Sequence, residues 1–271
     1  METFTSKTVL VTGGSTGIGA AFARELARRQ ANLVLVARSE AKLRALAAEL
    51  EREHGVTVHV IPADLARPGA AASLREAVRA RGVTIDLLIN NAGFATYGRF
   101  DTLSIETQRE EIDLNVGTLV ELTWAFLPDL LDRRGGLLNV ASTAAFQPVP
   151  YMAVYGATKS FVLSFSEALW AEYRPRGLRV LALCPGATDT PFFERVGAEE
   201  ASLGVRARPE RVVAEALAAY AAGRSHLIIG TSNYLLAQAS RFLPRASAAR
   251  IAERTMRPRR PELPSPATSR R

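Results

Sequence analysis

A glycine-rich loop near the start of the chain constrains the fold more than any other stretch. It follows a short run of apolar and β-branched residues, Thr8–Thr12, and leads into a helical pattern, AAFARELARR. Strand, glycine loop and helix in this order form a phosphate-binding turn, because glycines let the backbone approach a diphosphate that then faces the positive end of the helix. The sequence therefore predicts a dinucleotide site. The loop residues predicted to contact the dinucleotide are Gly13, Ser15, Thr16, Gly17, Ile18 and Gly19.

Strand and helix patterns alternate along the chain to about residue 230. Six further apolar runs are predicted as strands, at 32–37, 57–62, 85–89, 137–141, 178–183 and 226–229. The clearest helical patterns between them lie at 70–81 and 105–133. This alternation predicts an α/β fold with a Rossmann-type, doubly wound parallel sheet of about seven strands in a single domain, residues 1–230. A C-terminal amphipathic helical extension, 231–256, and a basic Pro- and Arg-rich tail, 257–271, expected to be disordered, complete the chain.

The positive charge lies at the C-terminal end. Residues 231–271 hold nine arginines and two glutamates, so they carry the whole formal net charge of +7 and the first 230 residues are neutral. A high pI of this origin argues against nucleic acid as a partner. The lone Cys184 excludes an internal disulfide and favours a reducing compartment. The sequence also lacks a signal-peptide pattern and an apolar run of transmembrane length, so we expect a cytoplasmic protein.

The end of the second predicted strand indicates which dinucleotide is bound. Ala37 offers no acidic group for a ribose 2′-hydroxyl, whereas Arg38 offers a guanidinium suited to a 2′-phosphate. The alternative is that Arg38 merely begins the next helix, although a cation there opposes the helix dipole. The sequence therefore favours NADP(H), with NAD(H) as the alternative cofactor.

A second constellation lies between Ser142 and Lys159. Tyr155 and Lys159 are four residues apart, which places both on one face if the segment is helical. A phenol has a pKa of about 10, and a fixed cation beside it favours the phenolate, so Tyr155 is a candidate general acid or base. Ser142 ends the apolar run LLNVAS, where its hydroxyl would face a substrate oxygen. Taken alone, the Tyr-x-x-x-Lys pair also fits an ordinary amphipathic helix surface.

Several polar motifs occur where predicted strands end, and one polar residue lies within the helical region 105–133. They are Asp64, Asn90-x-Ala92-Gly93, Asn115, Ser142, Tyr155-x-x-x-Lys159 and Pro185-Gly186. With the loop Thr12-Gly13-x-x-x-Gly17-x-Gly19, they resemble the short-chain dehydrogenase/reductase family in order and spacing over residues 7–230. The resemblance implies hydride transfer with a nicotinamide cofactor.

The resemblance also implies roles for four catalytic residues. Tyr155 would exchange a proton with the substrate oxygen, and Lys159 would lower the tyrosine pKa and hold the nicotinamide ribose. Ser142 would donate a hydrogen bond to the substrate carbonyl. Asn115 would kink its helix and anchor a water molecule of a proton relay. The further cofactor-binding residues that it implies are Asp64, Leu65, Asn90, Ala92, Gly93, Tyr155, Lys159, Pro185, Gly186, Thr188 and Thr190.

Apolar residues beside these motifs predict the kind of substrate. A pocket lined by them would suit a hydrophobic ketone, aldehyde or secondary alcohol. The histidines have no metal-ligand spacing, so no metal is assigned. The leading interpretation is an NADP-dependent carbonyl reductase. The alternatives are an NAD(P)-dependent alcohol or hydroxysteroid-type dehydrogenase working oxidatively, and a non-catalytic NADP(H) sensor. The predicted pocket residues are Phe94, Ala144, Met152, Phe192 and Phe193.

The partners expected beyond the substrate are a second copy of the chain and, as an alternative, a membrane surface. By the resemblance, the helices carrying Asn115 and Tyr155 would form a homodimer or homotetramer. The extension has an apolar face expected to pack on the body or on a second subunit. Its basic character also allows peripheral contact of residues 231–271 with an anionic membrane. The residues of that face are Leu235, Ala239, Phe242 and Leu243.

Overall fold

The computed structural model describes residues 4–196, 206–240 and 242–258. Within them, the strands are β1 (Thr8–Thr12), β2 (Asn32–Ala37), β3 (Val58–Pro62), β4 (Leu87–Asn90), β5 (Gly136–Val140), β6 (Arg179–Cys184) and β7 (His226–Ile228). The helices are α1 (Gly17–Arg28), α2 (Glu40–His54), α3 (Ala70–Arg79), α4 (Ile105–Ile112), α5 (Leu119–Asp132), α6 (Ala153–Tyr173), α7 (Phe192–Val196), α8 (Pro209–Ala221), α9 (Thr231–Ser240) and α10 (Arg245–Met256). A π-helical turn, Asp113–Thr118, joins α4 to α5.

The described strands form one parallel sheet in the order β3-β2-β1-β4-β5-β6-β7. The chain winds outward from β1 to β3 and then returns to β4 on the other side of β1. The carboxyl ends of β1 and β4 therefore border the crevice at which such sheets bind ligands. This topology confirms the predicted Rossmann-type sheet of seven parallel strands.

Helices cover both faces of the sheet because the strands are apolar on both sides. Val9 and Val11 pack with α1, α2 and α8 in one core cluster. Leu10, between them, points to the opposite face and packs with α3 and α5. Each strand repeats this alternation, so the sheet is a rigid buried platform that fixes where its carboxyl ends lie.

The helical region predicted at 105–133 is interrupted in the structure. The π-helical turn divides it into α4 and α5, and Asn115 lies inside the turn. Such turns are rare and occur frequently at functional sites. The structure thus contains the interruption that the family resemblance implies at Asn115.

The C-terminal extension packs differently from the prediction. The predicted apolar face, Leu235, Ala239, Phe242 and Leu243, is exposed. The side that packs on the body is built from small residues and one methionine: Ala237, Ala248, Ala252 and Met256. Small residues let the helix backbones approach the body closely. A search for periodic large apolar residues does not detect a packing face built from alanines. Of the tail predicted to be disordered, residues 259–271 lie outside the described residues, whereas Arg257 is described and bonds Glu253.

None of the helices in the described part of the chain is both long enough and apolar enough to cross a bilayer.

Candidate active site

A cavity of about 1040 Å³ opens at the carboxyl ends of the central strands. This volume lies at the upper end of the range for ligand pockets, about 300–1,000 Å³. It has room for a dinucleotide together with a second molecule. All of the predicted site residues line it except Gly19, Asn90 and Asn115. The motifs read separately along the sequence therefore meet in one place.

The glycine loop forms one end of the cavity by close backbone packing. Gly13 and Gly17 have positive φ angles of 64° and 56°, a region that favours glycine. Gly19 packs behind the loop, and a methyl group on it would lie 2.2 Å from the Gly13 carbonyl oxygen. This tight turn brings the loop backbone and the N-terminus of α1 to the cavity wall, as a bound diphosphate requires.

The asparagine that reaches the cavity is not the predicted one. The Asn90 amide turns into the protein and donates hydrogen bonds to Thr123 Oγ1 at 3.2 Å and Asn139 Oδ1 at 3.0 Å. Asn91 lines the cavity instead, and its Nδ2 donates to the Thr12 carbonyl at 2.8 Å. The Asn91 amide thus joins the end of β4 to the end of β1, a contact the sequence analysis missed.

The far end of the cavity, at the carboxyl end of β2, is basic. Arg38, just before α2, and Lys42, in its first turn, line it together with Ser39. Both cations are exposed, and neither forms an ion pair with another described residue. Lys42 was missed because only the strand end was considered. Two unpaired cations with a hydroxyl between them fit a phosphate group, so this end of the cavity suits the 2′-phosphate of NADP(H).

The middle of the cavity holds Tyr155, Lys159 and Ser142. On one side of them lie the glycine loop and Arg38, which we call the cofactor half, and on the other side lies an apolar end. Ser142 follows β5, and Tyr155 lies in the first turn of α6. Lys159 is buried, and its Nζ donates to the Val140 carbonyl at 2.8 Å and lies 5.7 Å from the centre of the Tyr155 ring. The ammonium is therefore held over the ring by a backbone carbonyl.

The pKa of Tyr155 differs from the prediction. We expected Lys159 to lower it, but burial raises the pKa of Tyr155 to about 12, with the Ser142 hydroxyl lowering it and the charge of Glu111 raising it. Burial also lowers the pKa of Lys159 to about 8. Desolvation is the largest cause of both shifts. At neutral pH, Tyr155 carries its proton, the form a general acid needs.

Asn115 and Glu111 hold the loop that follows β4. Asn115 Oδ1 accepts a hydrogen bond from the Phe94 N–H at 3.2 Å, and its Nδ2 donates to the Phe94 carbonyl at 2.9 Å. Glu111 Oε2 accepts from the N–H and the hydroxyl of Thr96 at 3.0 and 2.8 Å. Glu111 was missed, because a glutamate in a charged helix has the sequence signature of a solvated residue.

The apolar end of the cavity includes residues from the C-terminal extension. Ala95, Met152 and Phe193 form a buried cluster with Met256 from α10. Two tyrosine hydroxyls hold α10 there: Tyr97 donates to the Met256 carbonyl at 2.8 Å, and Tyr151 donates to Glu253 at 2.9 Å. The remaining lining residues from the extension are Asn233, Leu236 and Ala237. None of the four residues from the extension was predicted as a site residue.

A family model described as short chain dehydrogenase matches residues 7–201. The chain belongs to the short-chain dehydrogenase/reductase family. Mouse 17-beta-hydroxysteroid dehydrogenase type 3 is 37% identical over 187 residues, which cover 68% of this chain and 60% of the mouse protein. The matched region thus spans less than two thirds of that relative.

Solved structures of dehydrogenases superpose on most of the chain. A short-chain dehydrogenase from Sphingobium yanoikuyae in complex with NADPH has a TM-score of 0.78 and 37% identity, covering 87% of this chain and 93% of that one. The bulky-bulky ketone specific alcohol dehydrogenase from Comamonas testosteroni has a TM-score of 0.74 and 32% identity, covering 87% and 92%. The predicted family and fold are confirmed, and the NADPH of the Sphingobium complex agrees with the predicted cofactor.

Proposed function

We propose that this short-chain dehydrogenase reduces an apolar ketone or aldehyde with NADPH, using Tyr155 as general acid. The observation that carries this proposal is the position of the protonated Tyr155 phenol. It lies between a basic, glycine-lined half of the cavity and an apolar half closed by aromatic and methionine side chains. A proton donor between a dinucleotide-shaped site and an apolar site is the arrangement that carbonyl reduction needs.

The cofactor half would hold NADP(H) through its backbone and its cations. The loop around Gly13 and Gly17 would receive the diphosphate, and Arg38 and Lys42 would receive the 2′-phosphate. Asp64 and Leu65 line the same half, near the end of β3. When bound, the reduced nicotinamide supplies a hydride to the substrate carbon.

The residues at the centre would handle the proton. The Ser142 hydroxyl orients the substrate oxygen toward Tyr155, and Tyr155 transfers its proton to that oxygen as negative charge develops. Lys159, fixed on the Val140 carbonyl, stabilises the phenolate that remains. Asn115 fixes the loop at Phe94, which borders the substrate.

The substrate half supports a bulky apolar substrate. Its walls are the cluster of Ala95, Met152, Phe193 and Met256, with Phe192 in ring contact with Tyr155 at 5.7 Å. We propose that residues 1–230 form the catalytic domain and that residues 231–256 complete its substrate pocket. The ketone specificity in the name of the Comamonas relative agrees with this class of substrate.

The test combines cofactor binding with turnover. NADPH and NADH are titrated by fluorescence, and NADPH oxidation is then followed with a panel of apolar ketones and aldehydes. Tyr155→Phe should bind NADPH as the wild type does and lose turnover by roughly 10²- to 10⁴-fold. Tyr173→Phe, at the far end of α6, is the matched control and should keep wild-type activity. Equal turnover by Tyr155→Phe, or no turnover by the wild type on any carbonyl, would refute the proposal.

The oxidative dehydrogenase is the second candidate, supported by the hydroxysteroid dehydrogenase among the relatives. Oxidation needs the phenolate of Tyr155 as a base, and the raised pKa of Tyr155 makes the phenolate scarce at neutral pH. Alcohol oxidation with NADP⁺ should therefore increase steeply with pH above neutrality, while carbonyl reduction should not. A non-catalytic sensor is the third candidate, and it predicts tight NADPH binding with no turnover.

Exposed apolar side chains support a homodimer or homotetramer. Trp124 on α5 is 79% exposed, and Phe161 on α6 is 41% exposed and stacks on Phe165. These are the two helices that the family resemblance assigns to the subunit interface. Light scattering of the wild type and of Trp124→Arg should show a loss of assembly in the variant.

A peripheral membrane contact through the extension stays a prediction. It is supported by the exposed apolar residues Leu235 and Phe242 and by the exposed Arg250 and Arg254 of the same extension. Co-sedimentation with anionic and with neutral vesicles tests it. Binding that requires both anionic lipid and residues 231–271 is the expected result, and equal binding after truncation would exclude it.

A further inference from the structure

One side of α4 and of the π-helical turn carries three buried polar side chains. Gln108, Glu111 and Asn115 are spaced three and four residues apart and are 3%, 0% and 1% exposed. This spacing places them on one face, where a helix packed on α6 would ordinarily present apolar residues. We call these three residues the polar row.

Two oxygens of the polar row have no hydrogen-bond partner in the described structure. They are Gln108 Oε1 and Glu111 Oε1. Glu111 Oε2, by contrast, accepts both hydrogen bonds from Thr96. Buried polar atoms are nearly always partnered by protein or ordered water, so an unpartnered carboxyl oxygen indicates a group that bonds solvent or changes its protonation.

The polar row extends to the catalytic lysine. A methyl group on Gly93 would lie 2.8 Å from Asn115 Oδ1 and 3.6 Å from Lys159 Nζ, so these two atoms border the same small space. Glu111 lies one turn before Asn115, and its charge acts on both Lys159 and Tyr155. The row thus connects the catalytic pair to the N-terminal end of α4, where Ser104 and Ile105 are exposed.

Glu111 has the acidity that a proton carrier needs near neutrality. Burial raises the pKa of its carboxyl to about 7, against the lowering effects of Thr96 and Lys159. The titratable groups that face it from packed elements are Lys159 and Tyr155 on α6. On its own helix, Arg109 and Glu110 are exposed. A carboxyl with this pKa takes up and releases protons with equal ease.

We propose that Glu111 is the carboxyl that exchanges protons with the Tyr155–Lys159 pair, and that Gln108 continues the route toward solvent. This inference rests on the proposed reductase function for its direction. After Tyr155 has given its proton to the substrate oxygen, the phenolate takes up one proton that originates at Glu111. The carboxylate then regains a proton from water, past Gln108. One proton enters from solvent for each carbonyl reduced, and no electrons move in these steps.

A merely structural Glu111 would hold the loop at Thr96 and do nothing else. Glu111→Gln separates the two roles, because the amide oxygen still accepts both hydrogen bonds from Thr96 but the group no longer titrates. Thr96→Val is the matched control, because it removes one of those hydrogen bonds and leaves the carboxyl in place. Gln108→Leu keeps the carboxyl and blocks its connection to solvent.

The kinetic experiment measures kcat for NADPH-dependent reduction between pH 5 and pH 9. Glu111→Gln should lower kcat by roughly tenfold to 100-fold, remove the ionisation near neutral pH and increase the solvent isotope effect. NADPH affinity should not change. Thr96→Val should keep the ionisation but move it to higher pH, because the Thr96 hydroxyl no longer favours the carboxylate. Gln108→Leu should lower kcat without moving the ionisation. A Glu111→Gln variant with the wild-type profile and isotope effect would overturn the proposal.

A second measurement does not depend on turnover. Infrared difference spectra of the cofactor-free protein follow the carboxyl band that is lost in Glu111→Gln. This band should titrate near neutrality in the wild type and at higher pH in Lys159→Met, because the positive charge that favours the carboxylate is gone. A wild type that binds NADPH but reduces no carbonyl contradicts the proposed function alone. A carboxyl that titrates like an exposed glutamate, or that is insensitive to Lys159→Met, contradicts the role of Glu111.

Discussion

The two halves of the cavity are built by different means. The cofactor half consists mainly of backbone at strand ends, and it lies within residues 7–201, the part that the family model matches. The substrate half consists of side chains from distant segments, and it is closed by α10, outside that part. The difference indicates that cofactor binding is specified by local chain geometry and substrate choice by long-range packing.

Tolerance to change should differ accordingly. In the cofactor half, Gly19 packs against the Gly13 carbonyl, so a single atom added at Gly19 displaces the main chain. Asn91 is likewise hydrogen-bonded to the backbone of Thr12. In the substrate half, Met152 and Met256 meet through flexible side chains, which can repack around a new shape. Substitutions in the first half should abolish function, and those in the second half should change specificity.

The largest effect is expected for Gly19→Ala. The added methyl group would lie 2.2 Å from the Gly13 carbonyl oxygen and must displace the loop backbone. We expect a loss of NADPH affinity of about 100-fold or more, measured by fluorescence titration, because backbone displacement costs on the order of 3 kcal/mol. Gly117→Ala is the control, since a methyl group there meets nothing within 4 Å. Similar affinities for the two variants would contradict the distinction between the halves.

The next effect concerns which dinucleotide is preferred. Arg38→Ala should weaken NADPH binding by roughly tenfold to 100-fold, as expected for a charge-assisted hydrogen bond to phosphate. NADH affinity should stay the same, because NADH lacks the 2′-phosphate. Lys42→Ala should show the same selectivity with a smaller loss. If Arg38→Ala weakened both cofactors equally, Arg38 would be supporting the loop and the prediction of NADP(H) would lose its basis.

The same division explains what the sequence could predict. The strands, the glycine loop and the Tyr155–Lys159 pair depend on residues within one turn or one strand, so local patterns located them. Met256 reaches the site through a contact with Tyr97, 159 positions earlier, which leaves no local pattern. Asn90 was chosen over Asn91 because consecutive residues at a strand end point to opposite sides, and the sequence does not show where the strand ends.

The pKa of Tyr155 was mispredicted for a related reason. The Tyr-x-x-x-Lys spacing places a cation near the phenol, and this proximity alone lowers a pKa. Burial is a property of the whole fold, and here it is the largest cause of the raised pKa. Glu111 was missed for the same reason, because sequence patterns do not show burial. Its raised pKa follows from its buried surroundings rather than from its residue type.

A smaller effect is expected on the pH dependence of stability, at the boundary between the halves. The pKa of Glu111 is raised from 4.5 to about 7 in the folded protein. Its contribution to stability is therefore fully present below about pH 4.5 and is lost as the pH rises to 7 and above. Glu111→Gln should lack this dependence. Between pH 5 and pH 8 its free energy of unfolding should fall about 2 kcal/mol less than that of the wild type.

Urea unfolding at the two pH values measures this difference. Glu110→Gln is the matched control, because Glu110 is exposed on the same helix and should leave the dependence unchanged. An identical pH dependence in wild type and Glu111→Gln would mean that the carboxyl is already charged at pH 5 and that its burial is relieved by solvent.

The smallest effect is expected for Met256→Ala, and it tests the substrate half alone. Met256 is 6% exposed and packs on Met152 and Phe193 in the pocket wall, so its truncation removes apolar contact with the substrate and leaves the cofactor half intact. KM for bulky apolar ketones should rise roughly threefold to tenfold, as expected when about one or two methylene contacts are lost. NADPH affinity and kcat with small ketones should be unchanged. Ile251→Ala on the same helix is the control, because Ile251 is 56% exposed and does not line the cavity. Loss of NADPH affinity in Met256→Ala would show that α10 supports the whole cavity, and the two halves would then be one cooperative unit rather than two separable ones.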